Sequence, residues 1–361
     1  MTSPPNGMRV AVVGATGNVG TSVVRALTDD PAIASVLAVA RRPPRRADWS
    51  PGKTTWLPAD ITRDHLTGHL DGCDALIHLA WALQPSHDPV ATWRNNVLGA
   101  LHVFRAVAQA GVGALIHASS VGAYSPGPQQ RRVDESWPTH GWPKAAYCVE
   151  KAYLERALDA FECRHPRIRV VRMRPGFLFK REAARAQARL FAAPALLPHA
   201  VLPDALASRL ALQRLVPAVP NPPGLRFQAL HTDDAAEAYR LATLRPVSGA
   251  FNLAAEPAVD ADLLGRILRA RPLPLPTRPL LAAASAAWHL RLLRASPDLL
   301  DAMLRLPLMD ASRAGRELGW SPRHTAGEAI EDLLRGLREP PPAPTPALRH
   351  AVSPEPWLAR P

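Results

Sequence analysis

Short apolar runs recur through the first half of the chain, at Val10 to Val13, Val36 to Ala40, Thr55 to Leu57, Ala75 to Leu79, Ala114 to Ala118 and Ile168 to Met173. The stretches between them carry apolar residues at helical spacing. Continuous apolar runs fit strands covered on both faces, and their alternation with helices predicts a parallel, doubly wound α/β sheet. From Phe177 to Pro223 the pattern changes to Arg-, Ala-, Leu- and Pro-rich sequence, with helices expected between the prolines. Phe227 to His231 then reads as a strand, Asp233 to Leu244 as an amphipathic helix, and Ala250 to Leu253 as a strand returning to the sheet. Beyond Ala255 a smaller, mostly helical lobe is expected, finishing with Ala311 to Trp320 and a helix over Thr325 to Leu337. Proline dominates from Glu339 onward, which predicts disorder there. The expected division is therefore 7–176 with 227–254 as one unit, 177–226 with 255–337 as a second lobe, and 338–361 as a tail.

Chemistry enters where the first strand ends. Val13 runs into Gly14, Thr16, Gly17, Asn18, Val19 and Gly20, and a helical run follows from Thr21 to Leu27. Glycines between a buried strand and a helix allow a tight turn and let backbone approach a pyrophosphate, whose charge suits the helix N-terminus. The spacing is GxxGxxG, distinct from the GxGxxG of ordinary dehydrogenases. Further along, Tyr147 and Lys151 stand four residues apart on the first turns of an expected helix, hence on one face. A free phenol titrates near ~10, and a neighbouring cation lowers that value toward the range useful to a general acid/base.

With both motifs in place, the chain resembles the extended branch of the short-chain dehydrogenase/reductases, the NAD-dependent epimerase/dehydratase type, over roughly residues 8 to 335. The resemblance implies a Rossmann-type domain with a helical substrate lobe, a nicotinamide cofactor and a Ser-Tyr-Lys proton relay. Residue by residue it assigns Asp60 and Ile61 to the adenine, and Leu79 and Ala80 to the loop along the cofactor. Asn96 is assigned to support of the relay, and Pro175 to the turn beside the nicotinamide. Aligning Tyr124 with the tyrosine of the family's serine motif makes Ser120 the catalytic serine, with Ser119 the runner-up.

An acid at the end of the second strand would bind the ribose hydroxyls of NAD, but Ala40 stands there, followed by Arg41, Arg42, Arg45 and Arg46. Guanidinium forks suit a 2′-phosphate, so NADP(H) is expected over NAD(H). Trp137, His140 and Trp142 lie shortly before Tyr147, either facing substrate or stiffening the loop. Arg172, Arg174, Lys180, Arg181 and Arg185 are candidate holders of a diphosphate or carboxylate, or surface charges. The acids of His231-Thr232-Asp233-Asp234 are expected to cap a helix.

Composition adjusts this picture in few places. The net charge of +12 suggests a polyanion partner, but the positive charge is scattered arginine, with lysine only at 53, 144, 151 and 180. No nucleic-acid partner is expected. No apolar run reaches the ~18 residues of a membrane span, and the N-terminus lacks a signal-like region. A soluble, cytoplasmic protein is expected. Cys73, Cys148 and Cys163 show no metal-type spacing, so no metal is expected, and Cys148 reads as a small filler. The apolar stripes of Trp93 to Ala110 and Ala146 to Phe161 match the segments through which relatives pair, so a homodimer is expected. Three functions stay open: an oxidoreductase acting on a small-molecule alcohol or ketone, a nucleotide-sugar epimerase or dehydratase, and a cofactor-binding regulator without turnover.

Overall fold

The computed structural model describes residues 7–45, 49, 51–83, 87–191, 218–342 and 344–348. In chain order the strands are β1 (Met8–Val13), β2 (Ile33–Ala40), β3 (Thr54–Pro58), β4 (Ala75–His78), β5 (Ala114–Ala118), β6 (Arg132–Val133), β7 (Arg169–Pro175), β8 (Phe177–Phe179), β9 (Ala218–Asn221), β10 (Arg226–Phe227), β11 (Ala229–His231), β12 (Gly249–Leu253), β13 (Val259–Asp260), β14 (Arg271–Pro274) and β15 (Leu308–Met309). The α-helices are α1 (Asn18–Thr28), α2 (Pro89–Trp93), α3 (Gly99–Gln109), α4 (Ala146–Arg164), α5 (Ala184–Phe191), α6 (Thr232–Leu244), α7 (Ala261–Leu268), α8 (Thr277–His289), α9 (Pro297–Met303) and α10 (Ala326–Arg338).

Seven strands form one sheet in the order β12-β7-β5-β4-β1-β2-β3, all neighbours parallel. Alternation along β1 explains why its run is apolar throughout. Val10 and Val12 pack with Val23, Val24 and Leu27 of α1 and Tyr239 of α6, while Ala11 and Val13 pack with Phe104 and Val107 of α3 and Leu154 and Leu158 of α4. The expected return of the chain to the sheet occurs at β12, which pairs with β7. Phe227 to His231 does not form one strand: Arg226–Phe227 pairs with β13 and Ala229–His231 with β8. No helix among the described residues is long and apolar enough to cross a membrane.

Two local features depart from the sequence expectation. The helix expected over Trp93 to Ala110 is interrupted by a π-helical turn at Arg94–Leu98, where Asn96 is buried. The acids at 233 and 234 do not cap α6: the His231 ring accepts from the Asp233 N–H at 3.2 Å and takes that role. Asp233 instead accepts from Ser22 of α1 at 2.5 Å, and Asp234 accepts from the His324 N–H at 3.0 Å, so both acids join α6 to other elements.

The proline-rich segment expected to be disordered is in part a turn. Thr345 is fully buried and donates its hydroxyl to the Thr16 carbonyl at 2.7 Å, and the Leu348 N–H closes the turn on Thr345 at 3.1 Å. The rest of that tail, 349–361, lies outside the described residues, as do 192–217 of the segment after Phe177 and Arg46 of the arginine run.

Candidate active site

The glycine loop meets the geometry a pyrophosphate requires. Gly14 has φ of +86°, and a Cβ there would stand 2.6 Å from the Ala80 nitrogen. A Cβ on Gly20 would come within 2.2 Å of the Gly14 carbonyl, so the helix can start this close to the strand only with glycine. Gly17 is the N-cap of α1, with no side-chain cap and no acid in the first turn, which leaves the positive helix end open to an anion. Thr16 lies in the loop, and Val19 packs against the core behind it. Asn18 is turned away, donating to the Leu178 carbonyl at 3.2 Å and accepting from Thr232 at 3.3 Å, so it ties the loop to β8 and α6.

Around that loop the other predicted cofactor residues gather at the carboxyl ends of the strands. Arg41 and Arg42 are exposed just past Ala40 at the end of β2. Asp60 is half-buried, and one carboxylate oxygen accepts from the Thr62 N–H at 2.9 Å and the Thr62 hydroxyl at 2.8 Å. Ile61 packs against Gly99 at the start of α3. The Leu79 N–H donates to the Val13 carbonyl at 2.8 Å, which holds Ala80 against Gly14. Pro175 ends β7, beside Leu253 of β12.

Tyr147, Ser120, Lys151 and Asn96 converge at the start of α4. Gly122 makes room for the tyrosine, since a Cβ there would stand 2.6 Å from the Tyr147 ring. The Ser120 hydroxyl accepts from the Gly122 N–H at 3.0 Å. Lys151, 4% exposed, donates to the Ala118 carbonyl at 2.6 Å, and its Nζ lies 3.5 Å from the Trp81 ring centre and 6.0 Å from that of Tyr147. Asn96 accepts from the Ala82 N–H at 2.7 Å and donates to the Ala82 carbonyl at 2.9 Å and to Glu150 at 2.7 Å. Thr92 donates to the other Glu150 oxygen at 2.6 Å.

Burial governs the charges here. It pushes the Tyr147 phenol up, with the Ser120 hydroxyl offsetting part of the rise, and it pulls the Lys151 ammonium down to about 7 against the favourable fields of Glu150 and Glu155. The expected lowering of the phenol by its cation is therefore absent from this arrangement. Two histidines lie nearby: His78, just before the Leu79-Ala80 loop expected along the cofactor, and His117, to which the sequence assigned no role. His78 and His117 are paired across β4 and β5 with ring centres 5.3 Å apart, and burial, reinforced by the Lys151 charge, keeps both neutral, His78 falling to about 3.

The cations read as possible substrate holders are largely committed elsewhere. Arg174 donates to Glu155 through two nitrogens, each at 2.9 Å, and to the Tyr124 hydroxyl at 2.9 Å. Arg172 pairs with Glu155 at 3.2 Å, Asp159 at 2.6 Å and Glu162. Lys180 is buried and donates to Thr21 at 2.6 Å and Ser22 at 3.0 Å, and Arg181 reaches Glu339, while Arg185 is exposed. Burial alone would raise the Glu155 carboxyl, but the Arg174 guanidinium, with Ser119 and Arg172, holds it down to about 2. Ser119, the runner-up serine, is thus spent on Glu155 at 2.5 Å. Of the loop before Tyr147, Trp142 and Ala145 pack beside it, together with the buried filler Cys148 and Ala302 of α9. Trp137 donates to the Ser125 carbonyl at 3.2 Å, and His140 is exposed beside Ser125. No cluster of three or more metal-ligating side chains occurs among the described residues.

Comparison with known proteins agrees with this geometry. The chain matches the model of the NAD dependent epimerase/dehydratase family over residues 10–254. It belongs to that family, and so to the enzymes built around a nicotinamide dinucleotide. A curated relative, a 4-hydroxy-2-methyl-3-oxo-4-farnesyl-3,4-dihydroquinoline-1-oxide ketoreductase of Stigmatella aurantiaca, is 30% identical over 117 residues, which span 32% of this chain and 34% of the relative. Among solved structures, a UDP-N-acetylglucosamine 4-epimerase from Methanobrevibacter ruminantium M1 in complex with UDP-N-acetylmuramic acid superposes with a TM-score of 0.66 at 18% identity, covering 92% of this chain and 98% of that one. A UDP-glucose 4-epimerase from Thermus thermophilus in complex with NAD gives 0.63 at 20% identity, covering 92% and 100%. A dTDP-glucose 4,6-dehydratase from Streptomyces venezuelae gives 0.65 at 19%, covering 92% and 98%. At these identities the likeness is one of fold.

The buried Lys151 generates a stability prediction. A base whose folded pKa is depressed from 10.5 to about 7 binds fewer protons folded than unfolded between those values, so its penalty is fully present below about 7 and fades as pH rises toward 10.5. Lys151→Met should therefore be the more stable protein at pH 6, by on the order of 3 kcal/mol, with the gap closing by pH 10. Urea unfolding of the cofactor-free pair across that range measures it, and a gap that does not change with pH contradicts it.

Proposed function

We propose that this chain is an NAD(P)-dependent oxidoreductase of the extended short-chain type, transferring hydride at a secondary alcohol or ketone of a small molecule. In this reading 7–176 with 227–254 is the cofactor unit and 177–226 with 255–337 the substrate lobe. The observation that carries it is the meeting of Tyr147, Ser120 and Lys151 beside the glycine loop. Ser120 positions the substrate oxygen, Tyr147 exchanges its proton, and Lys151 supports the phenolate and the cofactor ribose, with Asn96 holding the adjoining loop. Gly14, Gly17 and the open end of α1 would receive the pyrophosphate, and the nicotinamide supplies or accepts the hydride when bound. A charged nucleotide-sugar substrate is disfavoured because Arg172, Arg174 and Lys180 are consumed by internal partners. The partial match to a ketoreductase points the same way. A regulator without turnover has no need of a complete relay. With a ketone substrate from a reductase screen, Tyr147→Phe should keep its fold and cofactor affinity and lose on the order of 10² to 10⁴ in rate. Turnover near the parental rate would reject the relay.

The cofactor reading is NADP(H) over NAD(H). It is supported by Ala40 at the end of β2, where no carboxylate stands to repel a 2′-phosphate, and by the exposed Arg41 and Arg42 beyond it. Fluorescence titration should show tighter NADPH than NADH binding, and Arg41→Ala with Arg42→Ala should shrink the ratio about tenfold. Equal affinities in the parent would overturn the NADP assignment.

A homodimer is the proposed assembly. Val90 of α2, Leu98 at the end of the π turn and Tyr153 of α4 are large apolar residues left exposed, and the Tyr153 and Trp93 rings meet at 4.9 Å with planes tilted by 59°. Both segments belong to neighbouring helices, so one patch can meet its copy about a two-fold axis. Light scattering should give twice the chain mass, and Leu98→Arg with Tyr153→Arg should return a monomer.

A further inference from the structure

Trp81 is not used by the relay assigned above, yet it touches both of its ionisable members. Its ring centre is 3.5 Å from the Lys151 Nζ, and its ring meets that of Tyr147 at 5.6 Å with planes 77° apart, edge to face. The chain on both sides is pinned: Ala80 lies against Gly14, and both backbone groups of Ala82 are held by Asn96. The indole therefore has little freedom to choose another place. Its Nε1 is buried without a hydrogen-bond partner among the described residues, an arrangement that sacrifices a polar contact to aim the π face. A desolvated ammonium against an indole face is the strongest form of the cation–π contact.

We propose that Trp81 is a positioning residue for Tyr147 and Lys151, its π face keeping the Lys151 ammonium protonated against the Ala118 carbonyl and its edge-to-face contact fixing the Tyr147 ring. The inference rests on the Ser-Tyr-Lys reading for its consequence in turnover, but the contact itself is a property of the cofactor-free protein. The other groups around Lys151 define what Trp81 adds. Glu150 and Glu155 on α4 favour the ammonium, and Glu150 is itself pushed toward its neutral form by burial, while Thr92 and Asn96 offset part of that. His78 of β4 and His117 of β5 lie beneath it as neutral rings that bring no countercharge. With burial drawing Lys151 to about 7, a modest contribution decides whether the group is a cation at neutral pH.

The test is the pH dependence of NADPH binding, followed by quenching of protein fluorescence, in the parent, Trp81→Phe and Trp81→Leu. A break near neutrality is expected in the parent, where loss of the Lys151 proton weakens binding. Trp81→Leu should move the break about one pH unit lower, the order of one desolvated cation–π contact, and Trp81→Phe, which keeps a π face, should move it less than half as far. A parent without a break, a break unmoved in Trp81→Leu, or equal displacement in both variants would overturn the proposal. Should Trp81→Leu fail to fold, the outcome rests on Trp81→Phe: a small downward displacement supports it and none overturns it. Binding does not require the Tyr147 hydroxyl, so failure of the relay shows separately, as undiminished turnover by Tyr147→Phe.

Discussion

One buried carboxylate organises the chemistry of this chain. Glu155, 1% exposed, sits between the guanidiniums of Arg172 and Arg174 and accepts from Ser119. Those partners come from β7 and the end of β5, so the helix that carries Tyr147 and Lys151 is locked to the strand that leads to Ser120. Arg174 extends the lock to Tyr124, which reaches Asn252 of β12 at 2.7 Å, and to the Glu135 carbonyl at 2.9 Å. A buried ion set of this kind is worth little relative to apolar packing, but removing one partner leaves a stranded charge and costs roughly 3–5 kcal/mol. Here it ties α4 to β7 and to the segment just past β5.

On the opposite flank of α4 the same device appears with neutral partners. Glu150 draws in Thr92 and Asn96, and Asn96 holds the loop after β4. The widened turn at Arg94–Leu98 brings Asn96 inward, a use of a π turn that recurs where function needs an extra residue in a helix. Tyr147 and Lys151 thus stand beside two carboxylates about one and a half turns of helix apart, in a pocket dry enough to favour the neutral forms of both. Of the two, Lys151, drawn to about 7, needs only a small change of field to gain or lose its proton, whereas burial drives the Tyr147 phenol firmly toward its neutral form.

The sheet was legible because its strands must be apolar on both faces and its helices on one, the alternation that marks parallel α/β folds. Gly14 and Gly20 were legible for a related reason, since their neighbours leave no room for a side chain. What the chain did not disclose was partnership. Arg172 and Arg174 look available in the sequence, and nothing local marks Glu155 as their common counter-ion, because the pairing depends on how a helix lies across a strand. Trp81 was hidden likewise: its closeness to Lys151 spans seventy residues of sequence. The π turn has no marker in the apolar pattern, and His231 took a cap that its acidic neighbours seemed suited to fill.

The bond from Thr345 to the Thr16 carbonyl joins positions 329 residues apart. On a ribosome the glycine loop waits for 329 further residues before that partner exists. The glycine loop is therefore completed long after it is synthesised, and so long-range a contact carries a loop-closure cost that an already assembled sheet reduces.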